Sequence, residues 1–329
     1  MIISENYSQS TFSSLISYSN YDKLLFEWLE TKKILVKPST YNVYKNIITT
    51  HISKKLGHYK VEQITAACIE TFALNLLKNG RIDGSGGLSN KSVIDICTVI
   101  KNTLKYARAH GVNVSCDFEY FVIKKKSREM RVLSKDETKR LLNVVSNDID
   151  VHKLGILICL FTGIRIGELC ALTWENVSFS DNYIKIEKTI QRIQNTDNTS
   201  KKKTIIIITE PKTPSAVRIV PLSNDLIKIM NQFQNTPRNY VISKHEGKYV
   251  EPRTMQNKFK NYLAEANIDD ANFHALRHTF ATRCIEVGCD PKTLSELLGH
   301  SSVKITLDRY VHTSMDQKRD SINKLSYYI

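Results

Sequence analysis

Apolar positions recur along this chain at two different periods, and the change of period divides it. From Tyr21, the residues Leu24, Leu25, Trp28 and Leu29 return every three or four positions, the spacing of one helix face. Pro38-Ser39-Thr40 opens a second helix with Tyr41, Tyr44, Ile47 and Ile48 on one stripe, and Leu56-Gly57 closes that segment. Thr65 stands as an N-cap before a third helix carrying Ile69, Phe72, Leu76 and Leu77, which Gly80 ends. After a glycine-rich loop over 80–87, Ser89 caps a fourth helix with Val93, Ile96, Ile100, Leu104 and Tyr106. These signals predict a helical domain over 21–115, preceded by a disordered or extended lead over 1–20 that is rich in Ser, Tyr and Asn.

A second domain is expected over 133–315. Ser134 and Glu137 have the Ser-x-x-Glu form of a capping box. Helices follow at about 134–146 and 152–162, the latter strongly apolar. The period then drops to two. Tyr183 to Glu187 alternates, Thr204 to Thr209 holds four consecutive isoleucines, and Arg218-Ile219-Val220-Pro221 forms another short run, with the turn residues Glu210 to Pro214 between the last two. Helical spacing returns from Ser223 onward. The fold class is therefore mainly α, an α+β architecture: a helical domain, then a mostly helical domain with a small antiparallel sheet. A tail over 316–329 carries Ile322, Leu325 and Tyr328 at helical spacing, open to docking either on its own domain or on a neighbouring copy.

Composition narrows the class without naming a function. The chain has 329 residues, 41% hydrophobic and 24% charged, which is a globular composition. No apolar run reaches the ~18–20 residues of a membrane-spanning helix, and the N-terminus lacks a basic head and apolar core, so no membrane partner and a cytoplasmic location are expected. The 7 cysteines are scattered singly with no Cys-x-x-Cys pair, which fits a reducing compartment and offers no metal site. Net charge is +14, of which +4 lies in residues 1–120 and +10 in the remainder. That excess favours a polyanionic partner. A linker over 116–132 concentrates it in Lys124, Lys125, Lys126, Arg128 and Arg131, readable as a solvated charge run or as a strap that follows phosphates.

Four segments carry candidate chemistry. Thr162-Gly163-Ile164-Arg165-Ile166-Gly167-Glu168-Leu169 puts Arg165 at a helix start, with Glu168 on the same face to hold its guanidinium, or the two form a surface ion pair. In His274-Ala275-Leu276-Arg277-His278, positions i and i+3 aim His274 and Arg277 at one place, while His278 is offset and reads as structural. Asp290-Pro291 begins a helix that Gly299 ends, leaving His300 at its terminus, and Tyr310 follows ten residues later. Lys212 sits in the turn between two strands, solvated or brought by a flexible arm to DNA.

Taken together and in this order, Arg165, Lys212, His274-x-x-Arg277, Gly299-His300 and Tyr310 resemble the tyrosine recombinases, or phage integrases, most like those of phages and conjugative transposons. The similarity runs from about residue 21 to about 318. It implies a core DNA-binding domain followed by a catalytic domain, two halves clamping duplex DNA, and a tetramer on two sites, with accessory directionality or bending proteins as further partners. Tyr310 would be the nucleophile of a 3′-phosphotyrosyl intermediate. Arg165 and Arg277 would clamp the phosphate, His274 would take the phenolic proton, His300 would donate to a phosphoryl oxygen, Lys212 would protonate the leaving 5′-oxygen and Glu168 would support Arg165. Neither metal, ATP nor other cofactor is implied. About 20 residues precede the first helix, too few for the arm-binding domain that such integrases often carry. A type IB topoisomerase-like relaxing enzyme and a non-catalytic DNA-binding regulator are the competing expectations.

Overall fold

The structure, a computed structural model of the chain, describes residues 20–114, 116, 123–124, 130–195, 202–211, 213–234, 239–243, 245–311, 319 and 322–323. These fall into two compact units, one ending at residue 124 and one beginning at residue 130. The expected lead up to residue 19, Lys125, Lys126 and Arg128 of the basic linker, Lys212, and most of the tail lie outside the described residues.

The first unit is all helical: α1 (Tyr21–Leu35), α2 (Pro38–Ile47), a π-helical turn (Ile48–Ile52), α3 (Ser53–Leu56), α4 (Ala66–Asn79) and α5 (Asn90–Ala109). Side-chain caps start three of them, where Asn20, Thr65 and Ser89 accept from the backbone N–H groups of Lys23, Cys68 and Ser92. The stripes then meet. Leu24, Leu25 and Trp28 of α1 are buried with Ile48, Ile52 and Ile96, Ile100 and Leu104 of α5. Each such side chain removed from water contributes about 1.5–3 kcal/mol. The hydroxyl of Tyr21 shares a 2.6 Å hydrogen bond with Thr103, which satisfies both polar groups inside that core.

The second unit opens with α6 (Lys135–Val145), α7 (Val151–Thr162) and the short α8 (Ile166–Ala171). Both halves of the Ser134–Glu137 capping box form, at 2.8 and 3.0 Å. Among the described residues five strands follow: β1 (Val177–Ser178), β2 (Tyr183–Ile186), β3 (Thr189–Gln194), β4 (Thr204–Thr209) and β5 (Arg218–Pro221). They make two small antiparallel sheets. One has the order β1-β2-β5, with Ile184 opposite Val220, and the other is the β3-β4 ribbon, with Ile190 opposite Ile208. After the strands come α9 (Asn224–Asn231), α10 (Pro252–Glu265), α11 (His274–Glu286), α12 (Pro291–Leu298) and α13 (Val303–Tyr310). Among the described residues no helix is long and apolar enough to cross a membrane.

Helix α7 is the axis of this unit. Leu154, Ile156, Leu157, Ile158 and Cys159 are all buried, so it is covered on nearly every side, with α11 and α6 packed against it. Two glycines around Arg165 answer geometric demands. Gly163 takes φ +66° to end α7, and a Cβ there would lie 2.4 Å from the Phe280 ring and 2.9 Å from Leu298. Gly167 lets β3 come close to α8, since a Cβ would lie 2.5 Å from the Thr189 hydroxyl and 2.8 Å from the Ile190 carbonyl.

Gly163→Ala therefore combines left-handed strain with overpacking, and should cost about 2–4 kcal/mol. Gly288→Ala is the internal control: φ is +86° but nothing lies within 4 Å of the added Cβ, leaving about 1–2 kcal/mol of backbone strain. Urea unfolding of the two variants, followed by tryptophan fluorescence, should separate them in that order.

Candidate functional site

Five of the sequence-predicted residues converge on one open cavity of about 370 Å³ in the second unit: Arg165, Glu168, His274, Arg277 and His300, with Arg309 also lining it. Each arrives from a helix end. Arg165 is the residue before α8, whose N-terminus is closed by a capping box with Glu168. His274 and Arg277 lie one turn apart at the start of α11. His300 follows Gly299, whose φ of +64° closes α12, and His300 N–H donates to the Ser295 carbonyl at 3.0 Å. Tyr310 is the last residue of α13.

Glu168 organises the cationic side. It is 3% exposed and accepts four hydrogen bonds, two on each carboxylate oxygen. Arg165 supplies its backbone N–H at 2.9 Å and Nη1 at 2.7 Å, and Arg218 supplies Nη1 at 3.2 Å and Nη2 at 2.9 Å. Burial opposes ionisation of this carboxyl, but the Arg218 and Arg165 charges outweigh it and hold its pKa below the usual range. The pair expected between Arg165 and Glu168 is present, and it is not a surface pair.

Arg277 is only 2% exposed, and it donates Nη1 to the Gly163 carbonyl at 2.9 Å and Nη2 to the Leu298 carbonyl at 2.7 Å. Burial, then the Arg165 charge, works against its cationic form, yet a guanidinium stays protonated at neutral pH. The guanidiniums of Arg165, Arg277 and Arg309 thus border the cavity with Glu168 as the one carboxylate in its lining, which leaves a site that attracts anions.

The histidines are held neutral. Burial and the nearby arginines push His300 down to about 3, and burial with the Arg309 and Arg277 charges pushes His278 down to about 4. His274 is lowered in the same direction by burial, His278 and the arginines, its exposed edge on the cavity screening part of that effect. His300 Nδ1 shares a 2.9 Å hydrogen bond with the buried Thr306 hydroxyl, which fixes the ring plane parallel to Tyr310 at 6.4 Å between centroids.

Tyr310 itself is 6% exposed and is not among the residues that line the cavity, which it borders through the stacked ring of His300. Burial raises its phenol above 10, with Arg277, Arg309 and Arg165 pulling the other way. Its hydroxyl shares a 2.8 Å hydrogen bond with Nδ1 of His278, the histidine that the helical offset marked as structural. His274 lies edge-on to His278 at 4.6 Å. Adjacency to the His274–Arg277 pair was the available signal for His278. Arg218 had a clearer one: in a period-two strand it falls in phase with Val220, and both are buried, so a cation on that face needs an acid.

Of the basic linker, Lys124 has its carbonyl bonded to Asn90 Nδ2 at 2.9 Å. Arg131 is engaged within its own unit, by Glu137 at 3.0 Å and the carbonyls of Val132 and Asp269. Among the described residues, no group of three or more His, Cys, Asp or Glu side chains is placed to hold a metal ion.

Known proteins resemble this chain in sequence and in architecture. A tyrosine recombinase XerC-like protein of Caldanaerobacter subterraneus subsp. tengcongensis is 27% identical over 330 positions, covering 92% of this chain and 82% of its own. The Tn1549 transposon integrase in complex with a circular intermediate DNA superposes with a TM-score of 0.73 at 22% identity, covering 94% of this chain and 100% of that one. A lambda integrase tetramer bound to a Holliday junction gives 0.64 at 19%, covering 91% and 80%. Residues 21–77 match the phage integrase N-terminal SAM-like domain. Residues 131–317 match the phage integrase family itself, and because that stretch is more than half the chain and reaches well beyond the motifs, this chain belongs to the phage integrase family, the tyrosine recombinases.

Proposed function

We propose that this chain is a site-specific DNA recombinase of mobile elements that cuts and rejoins duplex DNA through a covalent ester on Tyr310. The observation that carries the reading is the cavity: three guanidiniums, of Arg165, Arg277 and Arg309, and two neutral imidazoles around one space, with a buried phenol on the adjoining helix end. A phosphodiester in that space needs charge stabilisation on its non-bridging oxygens, which planar guanidiniums provide bidentately. Arg165 and Arg277 take that role, and His300 donates a further hydrogen bond from its second ring nitrogen.

The cleavage step balances as follows. Tyr310 Oη attacks phosphorus, the bond from phosphorus to the 5′-oxygen breaks, and a 3′-phosphotyrosyl ester forms. The phenolic proton passes to a neutral imidazole, and we assign this to His278, whose Nδ1 is the ring atom in contact. That reassigns the role expected of His274, which faces the cavity instead. Lys212, by its place in the family motif, protonates the departing 5′-oxygen. The ester conserves the energy of the broken bond, so attack by a second 5′-hydroxyl rejoins DNA without ATP, and the guanidiniums supply the electrostatic work that a divalent metal would otherwise do.

Duplex DNA is the partner. The tetramer on two sites and the accessory proteins implied by the resemblance extend this reading, and the tetrameric assembly of lambda integrase on a Holliday junction supports the first of them. Lys124 and the rest of the basic linker, with the net +14 of the chain, would add backbone affinity that weakens steeply with salt.

A nicked suicide substrate carrying the recombination site tests the chemistry: an SDS-resistant protein–DNA adduct should form in EDTA and disappear in Tyr310→Phe. Persistence of the adduct in that variant would sink the assignment. The histidine environments predict the pH response. With His278 lowered to about 4, the cleavage rate should stay flat from pH 8 down to about 5, whereas an ordinary imidazole would give a midpoint near 6.5. Folding stability should respond earlier. The unfolded chain takes up histidine protons near pH 6.5 that the folded chain refuses, so urea midpoints should fall as pH drops from about 6.5 towards 4.

A further inference from the structure

Arg218 does not line the cavity, yet its side chain joins three of the site's supports: α12, the turn before β5 and Glu168. It is 9% exposed and spends all three guanidinium nitrogens on the protein. Nε donates to the Leu297 carbonyl at 2.6 Å, on the last turn of α12 before Gly299-His300. Nη1 donates to the Ala216 carbonyl at 3.0 Å, in the 3₁₀ turn Pro214–Ala216 that lies two residues past Lys212. Nη1 and Nη2 together take both oxygens of Glu168. Gly299 is shaped around the same side chain, since a Cβ there would lie 3.0 Å from both Cδ and Nη1 of Arg218.

We propose that Arg218 is a positioning residue for DNA cleavage, which acts by occupying Glu168 so that Arg165 stays turned towards the phosphate. The inference rests on the recombinase reading above. Its physical basis is a competition for one carboxylate. With Arg218 bidentate on Glu168, Arg165 holds it through a single side-chain nitrogen, Nη1. Its Nη2 makes only a long 3.4 Å bond to the Gly299 carbonyl, and its side chain is 37% exposed on the cavity. Remove Arg218 and the buried carboxylate loses half of its hydrogen bonds. A buried charge left without compensation is costly, and the nearest cation able to replace the loss is Arg165, whose planar fork can close bidentately on Glu168. That closure would withdraw from the cavity the nitrogens that a phosphate needs. Arg218 thus holds a guanidinium open by satisfying its partner.

The test measures cleavage and binding separately on the nicked substrate, with single-turnover adduct formation at saturating enzyme and Kd by fluorescence anisotropy. Arg218→Met should slow adduct formation by about 10–100-fold, the usual effect of removing a side chain that orients a reacting group, while Kd moves less than about threefold, since phosphate contacts elsewhere dominate affinity. The effect should depend on the carboxylate. In a Glu168→Gln background, the neutral amide cannot capture Arg165 in the same way, so adding Arg218→Met should change the rate by less than about threefold. If Arg218→Met does not fold, Arg218→Lys serves: it keeps the charge but offers a point donor in place of a fork, and should still slow cleavage by about tenfold with Kd retained. Cleavage by a folded Arg218 variant within threefold of the unsubstituted chain overturns the proposal, as do rate effects of Glu168→Gln and Arg218→Met that multiply independently. An unsubstituted chain that forms no adduct on its own site would overturn the recombinase mechanism instead.

Discussion

The second unit is built around a scarcity of negative charge. Three arginines, at 165, 218 and 277, are gathered near one carboxylate, Glu168, so the arrangement carries a surplus of positive charge inside protein, where such a surplus is expensive. The fold manages this with carbonyl oxygens. Arg277 is held by the carbonyls of Gly163 and Leu298, and Arg218 by those of Leu297 and Ala216. Dipoles solvate these cations without neutralising them, and the cavity keeps a positive potential to offer to an anion.

Those carbonyls are free because helices end there. The last four C=O groups of a helix have no partner within it, and α7 and α12 both terminate at glycines in the left-handed region, exposing the carbonyls of Gly163, Leu297 and Leu298 to the guanidiniums. The glycines at 163 and 299 therefore have two functions. They stop the helices, and they leave space, beside Phe280 at the first and Arg218 at the second, that any side chain would fill. Packing, electrostatics and substrate recognition meet at the same two positions.

Much of this was legible in the chain. The helical stripes, the Asn-, Thr- and Ser-initiated helices of the first unit and the capping box at Ser134 follow from local rules, and the structure bears out the mainly helical fold with small antiparallel sheets. Local rules failed where local signals were weak. β1 has two residues, too few to show a period, and β3 mixes Gln and Arg with Ile in a ribbon that buries little, so neither stood out. In the site, the motifs located Arg165, Glu168, His274, Arg277, His300 and Tyr310, but motif spacing speaks only about neighbours in sequence. The Arg218–Glu168 pair spans 50 residues and the His278–Tyr310 contact 32. Such partnerships are set by tertiary packing, and only a buried charge in phase with valine hinted at one of them.

The wide sequence separation of these contacts bears on a hazard that any DNA-cutting protein must contain. Arg277 meets Gly163 across 114 positions, Arg165 meets Gly299 across 134, and Leu133 N–H reaches the Thr279 hydroxyl across 146. Contacts this distant form late, because loop closure must precede them. A partly unfolded chain would carry the phenol of Tyr310 without Arg165, just before α8, and Arg277 of α11 assembled beside it. Nicking competence would then arise only with the completed fold, so that incomplete molecules are harmless to the genome by construction.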